Sequence, residues 1–120
     1  MVSSYHGWWS VIHILALSNF WLVIVLVASA IPLARNKVPP NRAYGIRISA
    51  SFKSDAAWYK INSYAGKELI LWAIPILFLG IIELFIPASQ PIWLIVTLAI
   101  MPLVPLAVFL IRVIQYSQTA

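Results

Sequence analysis

Residues 41–67 read NRAYGIRISASFKSDAAWYKINSYAGK, and this stretch is the charged interruption in an otherwise apolar chain. It carries five of the eight Lys and Arg residues, one of the three acids, Trp58 and three tyrosines. The whole chain has 120 residues, 62% hydrophobic and 9% charged, with a mean hydropathy of +0.93. Soluble domains carry about 25% charged residues. A chain this small leaves much of its area exposed, so water could not hide so much apolar surface. The composition therefore points to an all-α integral membrane protein. The absence of cysteine removes disulfides, thiol nucleophiles and cysteine metal sites. No nucleophile–base pair, phosphate loop, Gly-rich fingerprint or acid cluster appears in the sequence, which reads as that of a non-enzyme.

Working outward from 41–67, three stretches are long enough to span a bilayer. The first runs from about Trp9 to Ala34, the second from about Glu68 to Ile86 and the third from about Ile92 to Ile111. Each has roughly the 20 residues an apolar core about 30 Å thick requires. Each must be helical, because backbone groups in lipid have to be paired within the segment. The "ASA" at Ala28–Ala30 resembles a signal-peptidase site. However, no Lys or Arg precedes it and the apolar run exceeds a signal core, so the stretch reads as a retained span. Pro75, Pro102 and Pro105 are expected to bend the second and third spans.

Charge sets the orientation. Arg35, Lys37, Arg42, Arg47, Lys53, Lys60 and Lys67 all fall in the first loop, about 35–67, and Arg112 closes the third span. Positive charge collects in cytoplasmic loops, so the N-terminus is expected outside and the C-terminus inside. A net charge of +5 gathered on one face suits anionic lipid headgroups and gives no reason to expect nucleic acid. Within the loop, Pro39-Pro40 ends any helix and Gly45 suits a tight bend. Ser54 reads as an N-cap with Asp55 in the first helical turn. The apolar spacing of Ala57, Trp58, Ile61, Tyr64 and Ala65 predicts a short amphipathic helix over about 55–65. It would lie in the headgroup region with Trp58 pointing into the lipid boundary, and Gly66 would break it from the second span. The plainer alternative is a solvated connector that Trp58 merely anchors.

The motifs N-x-x-Y-G-I-R at Asn41–Arg47, S-D-A-A-W-Y-K at Ser54–Lys60 and A-G-K at Ala65–Lys67 resemble the signature loop of the SdpI-like family of bacterial membrane proteins. That signature reads roughly G-I-R-T-P-W-T-L, S-x-E-x-W, a His-Arg pair and G-K. The chain departs from it at Ile48–Phe52, which lacks the Pro and Trp, and at Asn62 and Ser63, which stand in place of His-Arg. The resemblance implies a bacterial cytoplasmic (inner) membrane protein with an immunity-type or signalling role, binding a peptide or lipid through this loop. It implies a binding set of Asn41, Tyr44, Gly45, Arg47, Asp55, Trp58, Lys60 and Lys67. Arg47 is expected to bond helix C-terminal carbonyls, Asp55 or a lipid phosphate, using its planar fork.

Three polar residues within the spans stand out: His13, Asn19 and Glu83. Glu83 follows Lys67 by sixteen residues, about 24 Å along a helix, which puts it near the outer boundary. His13 also lies near the outer end, two turns after His6. Intramembrane ionisable groups are candidate functional sites. A His13–Glu83 pair would relay protons or, with further ligands, hold a metal; the plainer reading is two partly wetted interfacial groups, and no metal site is assigned. No cofactor is expected, the one alternative being a porphyrin-type pigment ligated by His13. Asn19 and Ser18 are expected to bond neighbouring helices. Tyr5, Trp8, Trp9 and Trp93 read as interfacial-belt residues, and Trp21 as too deep for the belt and packed on protein. Trp21, Trp72 and Phe78 would suit a protein or lipid partner, so a second class stays open, a small accessory subunit of a larger membrane complex, energy-transducing or pigment-binding.

Overall fold

The computed structural model describes residues 10–119. Tyr5, His6, Trp8 and Trp9, where the first span was expected to begin, lie outside the described residues. The chain forms an elongated bundle, 59 × 23 × 21 Å, with no strand among the described residues. Helix α1 runs Val11–Ala34, α2 Asp55–Leu84, α3 Ile92–Ile100 and α4 Leu103–Ser117, with a short 3-10 turn at Ser49–Phe52. Three helical stretches, Val11–Ala34, Asp55–Leu84 and Ile92–Ser117, are long and apolar enough to cross a membrane.

Local chemistry accounts for the ends. Ser10 caps α1 by accepting from the His13 amide. At the other end Asn36 takes a left-handed φ of 58°. Its amide then reaches the Leu33 carbonyl and that of Lys37 the Pro32 carbonyl, the paired bonds of a Schellman stop. Ser54 caps α2 through the Ala57 amide at 3.0 Å, with Asp55 in the first turn. The third span is interrupted at Met101-Pro102, and a new helix starts at Leu103. Pro102 and Pro105 have no amide hydrogen to continue the ladder. Pro75 is carried inside α2 without ending it.

One expectation fails here. Residues 55–65 are not a separate interfacial helix, because α2 is one helix of 30 residues, about 45 Å long. That exceeds an apolar core by about 15 Å, so its first three turns stand clear of the core as a continuation of the span. Gly66 does not break it, for a tertiary reason. A Cβ there would lie 2.5 Å from the Ala34 nitrogen and 2.7 Å from the Ala30 oxygen. Gly66 is where the backbones of α1 and α2 touch. Gly80 does the same lower down, against Phe20 and the Ala16 oxygen. Gly66, Ala73 and Gly80 repeat every seven residues opposite Ala30 and Ala16, all of them buried. This small-residue stripe lets two antiparallel membrane helices approach closely. α4 joins through Phe109 and Val113, which pack on Ile61 and Ala65.

Candidate functional site

The loop that follows α1 folds into a cap over the protruding start of α2. Asn41 spends its whole amide locally. Its oxygen accepts from Ala43 and Tyr44, and its nitrogen donates to the Pro39 and Tyr44 carbonyls, an Asx-type turn. The Tyr44 hydroxyl then donates to the Ser29 carbonyl on α1. Gly45, at φ 113°, sits where a Cβ would meet Asn62 Oδ1 at 2.8 Å and the Trp58 ring at 3.1 Å. Both the dihedral and the space require glycine. Asn62 locks the next residue, accepting from the Ile46 amide at 2.6 Å while donating to the Trp58 carbonyl at 3.0 Å.

Trp58 is the centre of this cap. It is 0% exposed, packs with Leu33 and Val38, lies 5.4 Å from the Phe52 ring and donates its indole hydrogen to the Val38 carbonyl at 2.8 Å. It therefore does not point into lipid, as an interfacial helix would require. The loop supplies it with a protein pocket and a buried acceptor, which an indole needs when dry. Arg47 makes neither of the two protein contacts expected for it. Its guanidinium donates to the Arg42 carbonyl within the loop, not to a helix end or Asp55.

The structure thus places the expected binding residues in two groups. Asn41, Tyr44, Gly45 and Trp58 hold the cap together. Arg47, Asp55, Lys60 and Lys67 are exposed around it. With Arg42 and Lys53 they make the protruding end strongly basic. Asn62, Glu68, Arg112 and Tyr116 were not among the expected site residues. Glu68 accepts from the Arg112 guanidinium and, at 3.1 Å, from the Trp72 indole. Tyr64 and Tyr116 stack at 3.9 Å, 3° from parallel. Both contacts tie α4 to α2. A Glu68–Arg112 signal was present, since a lone acid opens the second span and a lone base closes the third. Only the antiparallel fold makes them neighbours.

A second polar feature lies toward the other end. Asn19 on α1 donates to Glu83 Oε1 on α2 at 2.7 Å. Both are buried, Glu83 completely. Glu83 Oε2 has no hydrogen-bond partner among the described residues. Glu83 is thus not the partly wetted interfacial carboxylate of the plainer reading, and His13, the partner weighed for it, has its Nδ1 2.9 Å from the Ser10 hydroxyl. Asn19 bonds a neighbouring helix as expected, whereas Ser18 donates to Leu15 on its own helix. Trp21 is 67% exposed, so most of its ring is left uncovered by the described residues. Among the described residues no three His, Cys, Asp or Glu side chains converge as metal ligands.

A family model described as the SdpI/YfhL protein family matches residues 37–111. The match starts in the cap and ends on α4, so it takes in the basic end, Glu68 and Glu83 and stops one residue short of Arg112. No curated protein matches the chain, and neither does any solved structure.

Proposed function

The chain belongs to the SdpI/YfhL protein family, and from that premise we propose that it is a non-enzymatic membrane module recognising a peptide or lipid ligand at its basic end, with an immunity-type or signalling role. The observation that carries this reading is the cap. A loop serving only to join two spans has no need of a buried tryptophan, a glycine at φ 113° and two fully engaged asparagines. Those contacts rigidify residues 38–62 and hold Arg42, Arg47, Lys53 and Lys60 outward as a fixed pattern of charge. Rigid presentation lowers the ordering cost of binding. At this end the side chains of Asn41, Trp58, Asn62 and Glu68 are taken up by structural hydrogen bonds, which supports a binding role over a catalytic one.

The basic end faces the cytoplasm of a bacterial inner membrane in this reading, by the bias of Lys and Arg toward that side. A reporter fused after Ala120 should be cytoplasmic and one at Met1 external. The reverse pattern would remove the cytoplasmic ligand from consideration. For the role itself, cells expressing the protein should survive a membrane-active peptide better than cells without it. Arg47→Gln with Lys60→Gln should abolish the advantage at equal expression. If survival is unchanged and gentle detergent extraction instead yields fixed-stoichiometry partners, the chain is an accessory subunit. Trp21, Phe78 and Trp93, exposed by 67%, 59% and 66%, favour that second reading.

A further inference from the structure

We propose that the cleft between the end of α1, the first turns of α2 and the end of α4 is a binding site for one anionic phospholipid. The cleft encloses about 300 Å³ and is lined by Asn36, Lys60, Ser63, Tyr64, Lys67 and Tyr116. Lys60 and Lys67 are one heptad apart on α2, so they rise from the same face about 10 Å apart, with Ser63 between them. Side chains on a helix lean toward its N-terminus, which carries the Lys67 ammonium away from the apolar core toward the headgroup layer. Neither lysine has an ion-pair or hydrogen-bond partner among the described residues. The nearest carboxylate along the helix, Glu68, is committed to Arg112 and Trp72. Asp55 lies more than a turn beyond Lys60, exposed at the helix start. The cleft therefore carries two uncompensated cations, and its chemistry matches a phosphate diester.

What selects a lipid over a soluble phosphate is the continuation of the same face. Past Lys67, at spacings of four, three and four, come Leu71, Ile74 and Phe78, exposed by 48%, 46% and 59%. An acyl chain lying along this stripe would run from the cleft down into the core. The stacked Tyr64–Tyr116 pair forms one wall at the glycerol level, where aromatic rings favour membrane interfaces. The proposal deepens the functional reading above and rests on it only in placing the basic end at a headgroup layer.

The test uses the full chain, delipidated in a neutral detergent, with native mass spectrometry and thermal unfolding as readouts. One phosphatidylglycerol should bind and raise the melting temperature, whereas phosphatidylcholine and inorganic phosphate should not. Lys60→Gln with Lys67→Gln should weaken phosphatidylglycerol binding by about tenfold or more. Lys37→Gln with Lys53→Gln, the same change in net charge at exposed lysines elsewhere on this end, should alter it less than about twofold. Equal losses in the two double variants would overturn the site in favour of diffuse attraction. An equal response to inorganic phosphate would overturn the lipid and leave a soluble anion. No bound lipid in any arm would overturn it outright. None of these outcomes depends on the reporter-fusion or survival results, so failure here and failure of the functional reading are separable.

Discussion

The α1–α2 seam and the α2–α4 contact are both helix pairs in a bilayer, yet they are built by different means. Along the seam, Gly66 meets the Ala30 and Ala34 backbone and Gly80 the Phe20 ring and the Ala16 carbonyl. A buried Asn19–Glu83 bond closes one end and the Trp58 cap the other. The α2–α4 contact is made by Phe109 and Val113, one ion pair and one ring stack, all toward the basic end. α3 buries only Leu98. Lipid tails are as apolar as leucine, so greasy surface alone does not bring helices together. Close approach and polar bonds do, and the seam has both along its length. The comparison teaches that α1, the cap and α2 form the closely joined, rigid unit, while the third span is joined to it mainly at one end.

The largest expected effect falls on the cap. Trp58→Ala removes a fully buried ring and orphans the Val38 carbonyl, and should destabilise by about 3–5 kcal/mol. Trp58→Phe should lose less. Fluorescence of Trp58, in a variant without the other tryptophans, should be blue-shifted and resist both aqueous iodide and lipid-borne quenchers. Quenching by shallow lipid probes would mean the ring faces lipid, and the rigid-unit side of the comparison would fail. Next comes the seam itself. Gly66→Ala forces a methyl against the α1 backbone and should lower stability by about 1–3 kcal/mol. Gly80→Ala should cost visibly less, since its nearest neighbour is the movable Phe20 ring. Equal effects would show that the two glycines are not set apart by what they touch.

Asn19→Leu should cost about 1 kcal/mol, the scale of an interhelical hydrogen bond in a membrane. Glu83→Gln keeps an acceptor for Asn19 and should leave the melting temperature no lower than that of the native chain. A large loss on Glu83→Gln would assign the carboxylate a role beyond the seam. Arg112→Gln should act on the other side of the comparison, speeding amide exchange in α4 while sparing α1 and α2. Uniform acceleration in all helices would show the third span to be part of the rigid unit. Arg47→Lys should be the smallest change, within about 0.5 kcal/mol. Arg47 is exposed and bonds a loop carbonyl, so a larger loss would place it in the cap's framework.

By itself the sequence determined the membrane class, the helical spans and their number. Those depend on length and apolarity summed over about 20 residues, and no tertiary contact can reverse such a sum. It also determined the Ser54 cap with Asp55, because capping is local, whereas the prolines were legible only as bends, and the break at Met101-Pro102 but not at Pro75 was set by the fold. The family motif was legible as spacing from Asn41 to Lys67. What only the tertiary structure decided is where those residues face. The apolar period of residues 55–65 is the same for a helix lying on lipid and one buried under a loop, and the cap resolved it by covering Trp58. Gly66 reads locally as a helix breaker, yet α1 at van der Waals distance makes it a contact point. Glu83 sits sixty-four residues from Asn19 and Glu68 forty-four from Arg112. Such pairings leave no local trace in a single sequence, because they depend on which helix packs on which face.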